Sequence, residues 1–355
     1  MKTALLDRRF GSHDPRKTAD TWILRHGVDW DNPNQTGQGN TFALIDTFGE
    51  VMTGPLEISA NYDIIKGYDL IYCRVRGAAA VEALRKLRMT CRDSIIILYS
   101  DEWVGFSNFT PNTWLTRASK YVDAVTCGFG PKYEAEAFRQ MGINNYWHCP
   151  YGSAVNHWRK YGPQPREERE NVVAGMWHIR SFMQQGRGDR QHSVTLRVLR
   201  ALQERHGVDC WFFLNFDGWK LEKAIRNYAD GIGLKVELLK HMPNNEFNKR
   251  MASAILFFEE YPCPAYSRAT VVSAAVGTPQ ISTDMNEPSL GCFPDLTVDY
   301  GDWGRVLHLA DKLITDEAFW KEQRDKGLTN VDYYWYPALR TRIMNLYNHL
   351  RKKNI

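Results

Sequence analysis

Residues 265–284 read AYSRATVVSAAVGTPQISTD: a polar loop, a helix, a Gly-Thr-Pro turn and a short buried strand in succession. The helix is expected from Ser267 or Arg268 to Val276, and its small residues Ser273, Ala274 and Ala275 allow close approach to a sheet. Gly277 suits the left-handed turn that ends a helix, and Pro279 bars its continuation. Gln280 to Thr283 then enters the sheet. Ahead of the helix, Ser267, Arg268 and Thr270 stand beside the N–H groups that a helix leaves unpaired at its start. That end carries partial positive charge, which suits a diphosphate. An ordinary αβ unit of any α/β domain reads the same way, so the rest of the chain has to decide.

Working outward, the same alternation continues in both directions. Strands are expected at 172–175, 210–215, 236–239 and 254–258, with helices at 191–206 and 221–229 between them and at 304–314, 317–326 and 337–352 beyond. Toward the N-terminus, 3–7 reads as a strand, 17–26 as a helix, and 29–40 (DWDNPNQTGQGN) as a turn-rich loop. Strands follow at 68–75, 94–100 (SIIILYS), 122–127 and 146–150, with helices at 79–89 and 133–141. The unbroken apolar run at 94–100 is typical of a central parallel strand covered on both faces. Residues 161–171 (YGPQPREEREN) are the best linker. The expectation is an α/β protein of two Rossmann-like, doubly wound domains facing across a cleft, residues 1–165 and 166–355, with the last helix packing back on the first. Ligands of such sheets sit beyond the carboxyl ends of the strands.

Composition narrows the class. A length of 355 residues accommodates two cores, and 43% hydrophobic with 24% charged residues is that of a soluble globular protein. Lys and Arg number 19 against 17 Asp and Glu in residues 1–165, and 26 against 24 beyond, so neither half is an overall polyanion binder. Seven dispersed cysteines without a Cys-x-x-Cys pair suggest reduced thiols and a cytoplasmic setting, with no zinc-ligand spacing. No stretch is apolar for the eighteen or so residues that a membrane span needs.

Several segments carry a family likeness. The 265–284 stretch resembles the donor-nucleotide loop, helix and strand of glycosyltransferases with the GT-B fold. Five pieces in order resemble the DNA β-glucosyltransferases of tailed phages: SIIILYSDEWVGFSN, VVAGMWHIR with GRGDRQHSVTLRVLRAL, VDCWFFLNFDG, LKHMPNNEFNKRMASAILFF and the opening stretch. Together they span about half the chain. The resemblance implies an inverting transfer of a sugar from a nucleotide sugar, UDP-linked, to a hydroxyl. The preferred acceptor is then a 5-hydroxymethylated pyrimidine in double-stranded DNA. It places the general base at Asp101, directly after the apolar strand, with Glu102 as the fallback. A carboxylate there would take the acceptor proton and favour the developing charge on the sugar ring.

For the donor, the resemblance points to arginines in the loop after the first strand of the second half: Arg190 first, then Arg187 or Arg180. Guanidinium groups there would neutralise the leaving diphosphate. Gly175 would let backbone approach a phosphate, and Ser267, Arg268 and Thr270 would meet it from the helix start. Glu259 and Glu260 end the preceding strand, where a carboxylate could accept the ribose hydroxyls, though which residue does so is left unassigned, and the turn around Met242 would clasp the base through backbone groups. The Glu-x7-Glu pattern of many GT-B enzymes is absent, because Pro264 and Val272 occupy its positions. A divalent cation could bridge the diphosphate, but no motif requires one. For the acceptor, the local basic run with Arg74, Arg76, Arg85, Lys86, Arg88 and Arg92 could meet phosphates, and Trp103 and Phe106 could approach a flipped base. Two other readings stay open: transfer to a cell-envelope glycan or lipid, and a non-catalytic module that binds a nucleotide or nucleic acid.

Overall fold

The computed structural model describes residues 1–7, 22–26, 48–75, 80–100, 113–128, 131–150, 152–162, 164–177, 192–214, 219–240, 242–261 and 265–353. The chain forms two compact units. One holds Met1–Ser153 with Tyr336–Ile355, the other Ala154–Trp335.

The first unit is built on seven strands: β1 (Thr3–Asp7), β2 (Ile23–Arg25), β3 (Val51–Gly54), β4 (Leu70–Val75), β5 (Ile95–Ser100), β6 (Ala124–Cys127) and β7 (Tyr146–His148). Their order in the sheet is β2-β3-β1-β4-β5-β6-β7. All pairings are parallel except that of β2 with β3. Every residue of β5 is buried, as its apolar run requires. The Ala80–Thr90 helix buries Ala80, Val81, Ala83, Leu84 and Leu87, one stripe at helical spacing. The C-terminal helix, Tyr336–Lys353, belongs to this unit and buries Leu339, Ile343, Leu346, Tyr347 and Leu350.

One expectation fails here. Residues 23–25 fall at the end of the helix expected over 17–26, yet they form the antiparallel edge strand β2. Tertiary contacts override the local pattern. The Thr53 hydroxyl donates to the Ile23 carbonyl (3.0 Å) and accepts from Arg25 Nε (3.1 Å). Gly54 lies so close to the Trp22 ring that a Cβ would fall 2.3 Å from it.

The second unit holds β8 (Glu170–Trp177), β9 (Asp209–Leu214), β10 (Glu237–Leu239), β11 (Ala254–Glu259), β12 (Gln280–Thr283) and β13 (Thr297–Val298). All pairings are parallel, in the order β10-β9-β8-β11-β12-β13. The chain winds outward from β8 in one direction through β10, then returns to β11 and winds the other way. This is the dinucleotide-fold order, and its switch point lies between β8 and β11. The Arg268–Ala275 helix appears where expected, with Gly277 at φ 74° behind it and β12 next.

At the amino end of this sheet the stretch expected as a linker is pinned by Arg169, which is 8% exposed. Its Nη1 donates to the Ala254 carbonyl (2.9 Å) and to Thr278 Oγ1 (2.7 Å). Its Nη2 donates to the carbonyls of Val276 (3.1 Å) and Gly277 (3.0 Å), at the negative end of the Arg268–Ala275 helix. Its Nε donates to the Gln164 carbonyl, and the guanidinium lies over the Trp320 ring.

Candidate functional site

In an open parallel sheet the binding crevice lies at the carboxyl ends of the strands flanking the switch point. Here those are the ends of β8 and β11. Gly175 pairs in register with Phe258, and Met176 with Glu259, so Glu260 follows at the mouth of the crevice. Two helices start on this side, His192–His206 after β8 and Arg268–Ala275 after β11.

Two adjacent glutamates are placed differently. Glu259 is fully buried and organises the start of the Arg268–Ala275 helix. Its Oε2 accepts from Ser267 Oγ (2.5 Å), Gln280 Nε2 (3.3 Å) and Thr270 Oγ1 (3.4 Å), and its Oε1 from Tyr261 Oη (2.7 Å). Ser267 Oγ in turn accepts from the Thr270 N–H (3.2 Å) and caps the helix. Asn286 closes the network: its Oδ1 accepts from the Ser267 N–H (3.1 Å) and its Nδ2 donates to Thr270 Oγ1 (2.7 Å). Burial pushes the Glu259 carboxyl up to about 6, against the pull of those hydrogen bonds.

Glu260 is 3% exposed, and its environment is far less complete. Its Oε2 accepts from Thr195 Oγ1 at 3.4 Å, while its Oε1 is buried with no hydrogen-bond partner. Burial pushes its carboxyl up to about 8, with hydrogen bonds from Thr195 and Tyr300 acting against the shift. A buried carboxylate oxygen left unpaired is costly, and such atoms concentrate where a ligand completes the set. Arg268, at the first position of its helix, is half-buried; desolvation lowers its guanidinium pKa, and Tyr266 works in the opposite direction.

The other expected site residues fall into three groups. Ser267 and Thr270 turn their hydroxyls inward to Glu259, so what they contribute is a rigid helix start. Gly175 is buried within β8, and a Cβ there would meet Thr195 Cγ2 and Leu199 Cδ1 at 3.2 Å. Its missing side chain admits the following helix. Met242 is half-buried between β10 and the Asn244–Ser253 helix. Asp101, Glu102, Trp103, Phe106, Arg76, Arg180, Arg187 and Arg190 lie outside the described residues.

The basic run of the first unit is engaged within that unit. Arg74 is 5% exposed on β4. Arg85 pairs with Glu82 (2.8 Å), and Lys86 donates to the carbonyls of Ile58 and Ala60. Arg88 pairs with Asp123 and donates to the Ser94 and Tyr121 carbonyls, while Arg92 Nε donates to the Met89 carbonyl. Among the described residues no group of three or more His, Cys, Asp or Glu could hold a metal ion. No described helix is long and apolar enough to cross a membrane.

Thr195, Tyr300, Gln280 and Asn286 escaped the sequence reading. Gln280 and Asn286 carried a signal as polar residues in an otherwise buried strand and turn. Thr195 and Tyr300 carried none, because they reach Glu260 only through the tertiary fold.

No protein-family model and no curated protein matches the chain in sequence. Solved structures match it in shape. HepE from Anabaena in complex with UDP covers 98% of this chain and 100% of its own at 13% identity, with a TM-score of 0.67. HepE in complex with UDP-glucose covers 81% and 80% at 14% identity, TM-score 0.60. The UDP-forming α,α-trehalose-phosphate synthase from Burkholderia xenovorans, in complex with glucose-6-phosphate, covers 79% and 73% at 10% identity, TM-score 0.60. None of these likenesses points to the phage DNA β-glucosyltransferases in particular. What they share with this chain is the fold: a two-sheet, parallel α/β architecture of the GT-B type.

Proposed function

We propose that this protein is a nucleotide-sugar-dependent glycosyltransferase whose second unit takes a UDP-linked donor at the switch point between β8 and β11. The observation that carries the reading is Glu260: a buried carboxylate with one unpartnered oxygen at the mouth of that crevice, next to the capped helix start at Arg268. The likeness to folds solved with UDP and UDP-glucose supports the donor class. In this reading Glu260 accepts donor hydroxyls, and Arg268 with the first backbone N–H groups of its helix faces the diphosphate. Arg190, with Arg187 or Arg180, would complete the phosphate contacts. Calorimetric titration with UDP tests the site: wild type binds, and Arg268→Ala weakens binding by roughly tenfold or more, as for a charge-assisted hydrogen bond. Equal affinity in the two proteins would remove the diphosphate from this helix start.

The transfer itself inverts the anomeric centre, with Asp101 as base and Glu102 behind it; this rests on the sequence resemblance. Asp101→Asn should abolish transfer and leave UDP binding intact. The acceptor is a hydroxyl. A 5-hydroxymethylated pyrimidine in DNA is the acceptor the resemblance favours; Arg74 is buried, Lys86 is held by backbone carbonyls and Arg88 by Asp123, so of this basic run the exposed Arg85 and Arg92 are the described cations left to meet a duplex.

A further inference from the structure

The Tyr336–Lys353 helix carries five cations, Arg340, Arg342, Arg351, Lys352 and Lys353, and no acidic residue. It therefore holds more positive charge than the net +4 of the whole chain. Its inward stripe, from Leu339 to Leu350, is buried in the first unit. The opposite stripe faces solvent. Eight residues of the helix are exposed: four are cations (Arg340, Arg351, Lys352, Lys353), and the others are one threonine, two asparagines and His349. Each of these side chains offers a hydrogen-bond donor, and none is apolar or acidic. The His349 ring lies 5.0 Å from that of Trp147, which sets the last turns of the helix beside the edge strand β7.

Helix stability accounts for only part of this composition. Cations in the last turn complement the helix dipole, so Arg351, Lys352 and Lys353 favour the helix by themselves. Arg340 does not. It lies near the amino end, where a carboxylate would be favourable, and no acidic residue stands in the first turn. Ion pairs along the helix cannot absorb the charge either, because the helix has no acid to supply one. Arg342 is used within the first unit, its Nη2 donating to the Pro150 carbonyl (3.3 Å), and Arg351 Nη1 donates to Tyr347 Oη (3.0 Å). Among the described residues, the side chains of Arg340, Lys352 and Lys353 make no ion pair or hydrogen bond.

The chemistry of the stripe selects its partner. A membrane-docking helix needs apolar side chains that enter the lipid, and a protein interface needs an apolar or aromatic centre; the exposed stripe has neither. Cations, amides and hydroxyls in a row are instead what the phosphate oxygens of a nucleic-acid backbone accept from. From Arg340 to Lys352 the helix rises ~18 Å at 1.5 Å per residue. Over that length a B-form duplex presents about ten phosphates. Resting on the reading of a DNA-borne hydroxyl as acceptor, we propose that this stripe binds the sugar-phosphate backbone of duplex DNA and holds the duplex on the first unit. Contacts of this kind position a duplex without reading its sequence.

Truncating the helix would remove the buried stripe as well, so the test substitutes exposed residues only. Fluorescence anisotropy with a labelled hydroxymethylcytosine duplex over a salt series compares three proteins. They are wild type, Arg340→Ala/Lys352→Ala/Lys353→Ala, and a control lacking two exposed lysines of the second unit, Lys249→Ala/Lys321→Ala. Each phosphate contact contributes about 0.9 to the slope of log K against log salt. The triple variant should lose about 3 from that slope and bind roughly tenfold or more weakly at about 50 mM salt. The control should match wild type in binding, and all three proteins should hydrolyse a UDP-hexose equally without acceptor. An unchanged slope in the triple variant, or an equal loss in the control, would overturn the inference. So would loss of binding to phosphatidylglycerol vesicles with duplex binding intact, which would make the stripe a membrane contact. A wild type that glycosylates methyl hexosides but binds no duplex would remove the DNA acceptor and this inference together, leaving the glycosyltransferase reading in place.

Discussion

At the scale of single residues, Glu259 and Glu260 show how one dipeptide serves structure and ligand separately. The first has all its partners inside the protein, and the second keeps an oxygen in reserve. Both carboxyls titrate above the usual 4.5, to about 6 and about 8. A raised folded-state pKa contributes stability that is fully present below the unfolded value and is lost as pH rises through the folded one. The nucleotide-free protein should therefore lose stability from pH 5 upward, Glu259 acting up to about pH 6 and Glu260 up to about pH 8. Between pH 6 and 8 the Glu260 part amounts to about 2 kcal/mol, from 1.36 kcal/mol per pKa unit. Urea unfolding at the two pH values should show that loss in wild type and little of it in Glu260→Gln, which is then the more stable protein at pH 8. The same variant should bind a UDP-hexose about tenfold more weakly, because stability and function compete at this site. A Glu260→Gln variant less stable than wild type at pH 8 would mean that the carboxylate is paired in solution. Glu259 and Glu260 were legible from sequence as a pair of carboxylates ending a strand, but the difference between them was not. That difference arises from Tyr261, Ser267 and Gln280 turning to one carboxyl and only Thr195 and Tyr300 approaching the other.

At the scale of elements, the 265–284 stretch was legible because each of its parts obeys a local rule. Ser267 caps, small residues pack, Gly277 takes positive φ, and Pro279 stops the helix. The central strands were legible as continuous apolar runs, since parallel strands are buried on both faces. Strand β2 was not, because three residues carry too little periodicity and its identity is set by Thr53 and Gly54 far along the chain. Nor was the role of Arg169, which lies in a stretch of charge and proline that reads as linker. It supplies five hydrogen bonds to the turn after the Arg268–Ala275 helix, to β11 and to its own approach segment. Replacing it by alanine strands several buried carbonyls, each worth ~1–3 kcal/mol. Arg169→Ala should thus destabilise the second unit by more than about 3 kcal/mol in chemical unfolding. A loss under about 1 kcal/mol would show that water reaches those carbonyls.

At the scale of the whole molecule, the chain's end returns to its beginning. The Tyr336–Lys353 helix is part of the first unit, and a Cβ on Gly152 would fall 2.8 Å from Leu339. Its five buried apolar side chains, at ~1.5–3 kcal/mol each, are comparable to the stability of an entire domain. Truncation before Tyr336 should therefore unfold the first unit, seen as a lost unfolding transition in calorimetry; two retained transitions would contradict it. The central claim is that these two units make a glycosyltransferase with a UDP-linked donor. Its most direct test is nucleotide release from a panel of sugar nucleotides, each with neutral saccharides or with plain and hydroxymethylated duplexes as acceptors. The account predicts UDP release from a UDP-hexose, stimulated by one class of hydroxyl acceptor and abolished in Asp101→Asn. No release from any donor, together with no measurable binding of UDP, would contradict it.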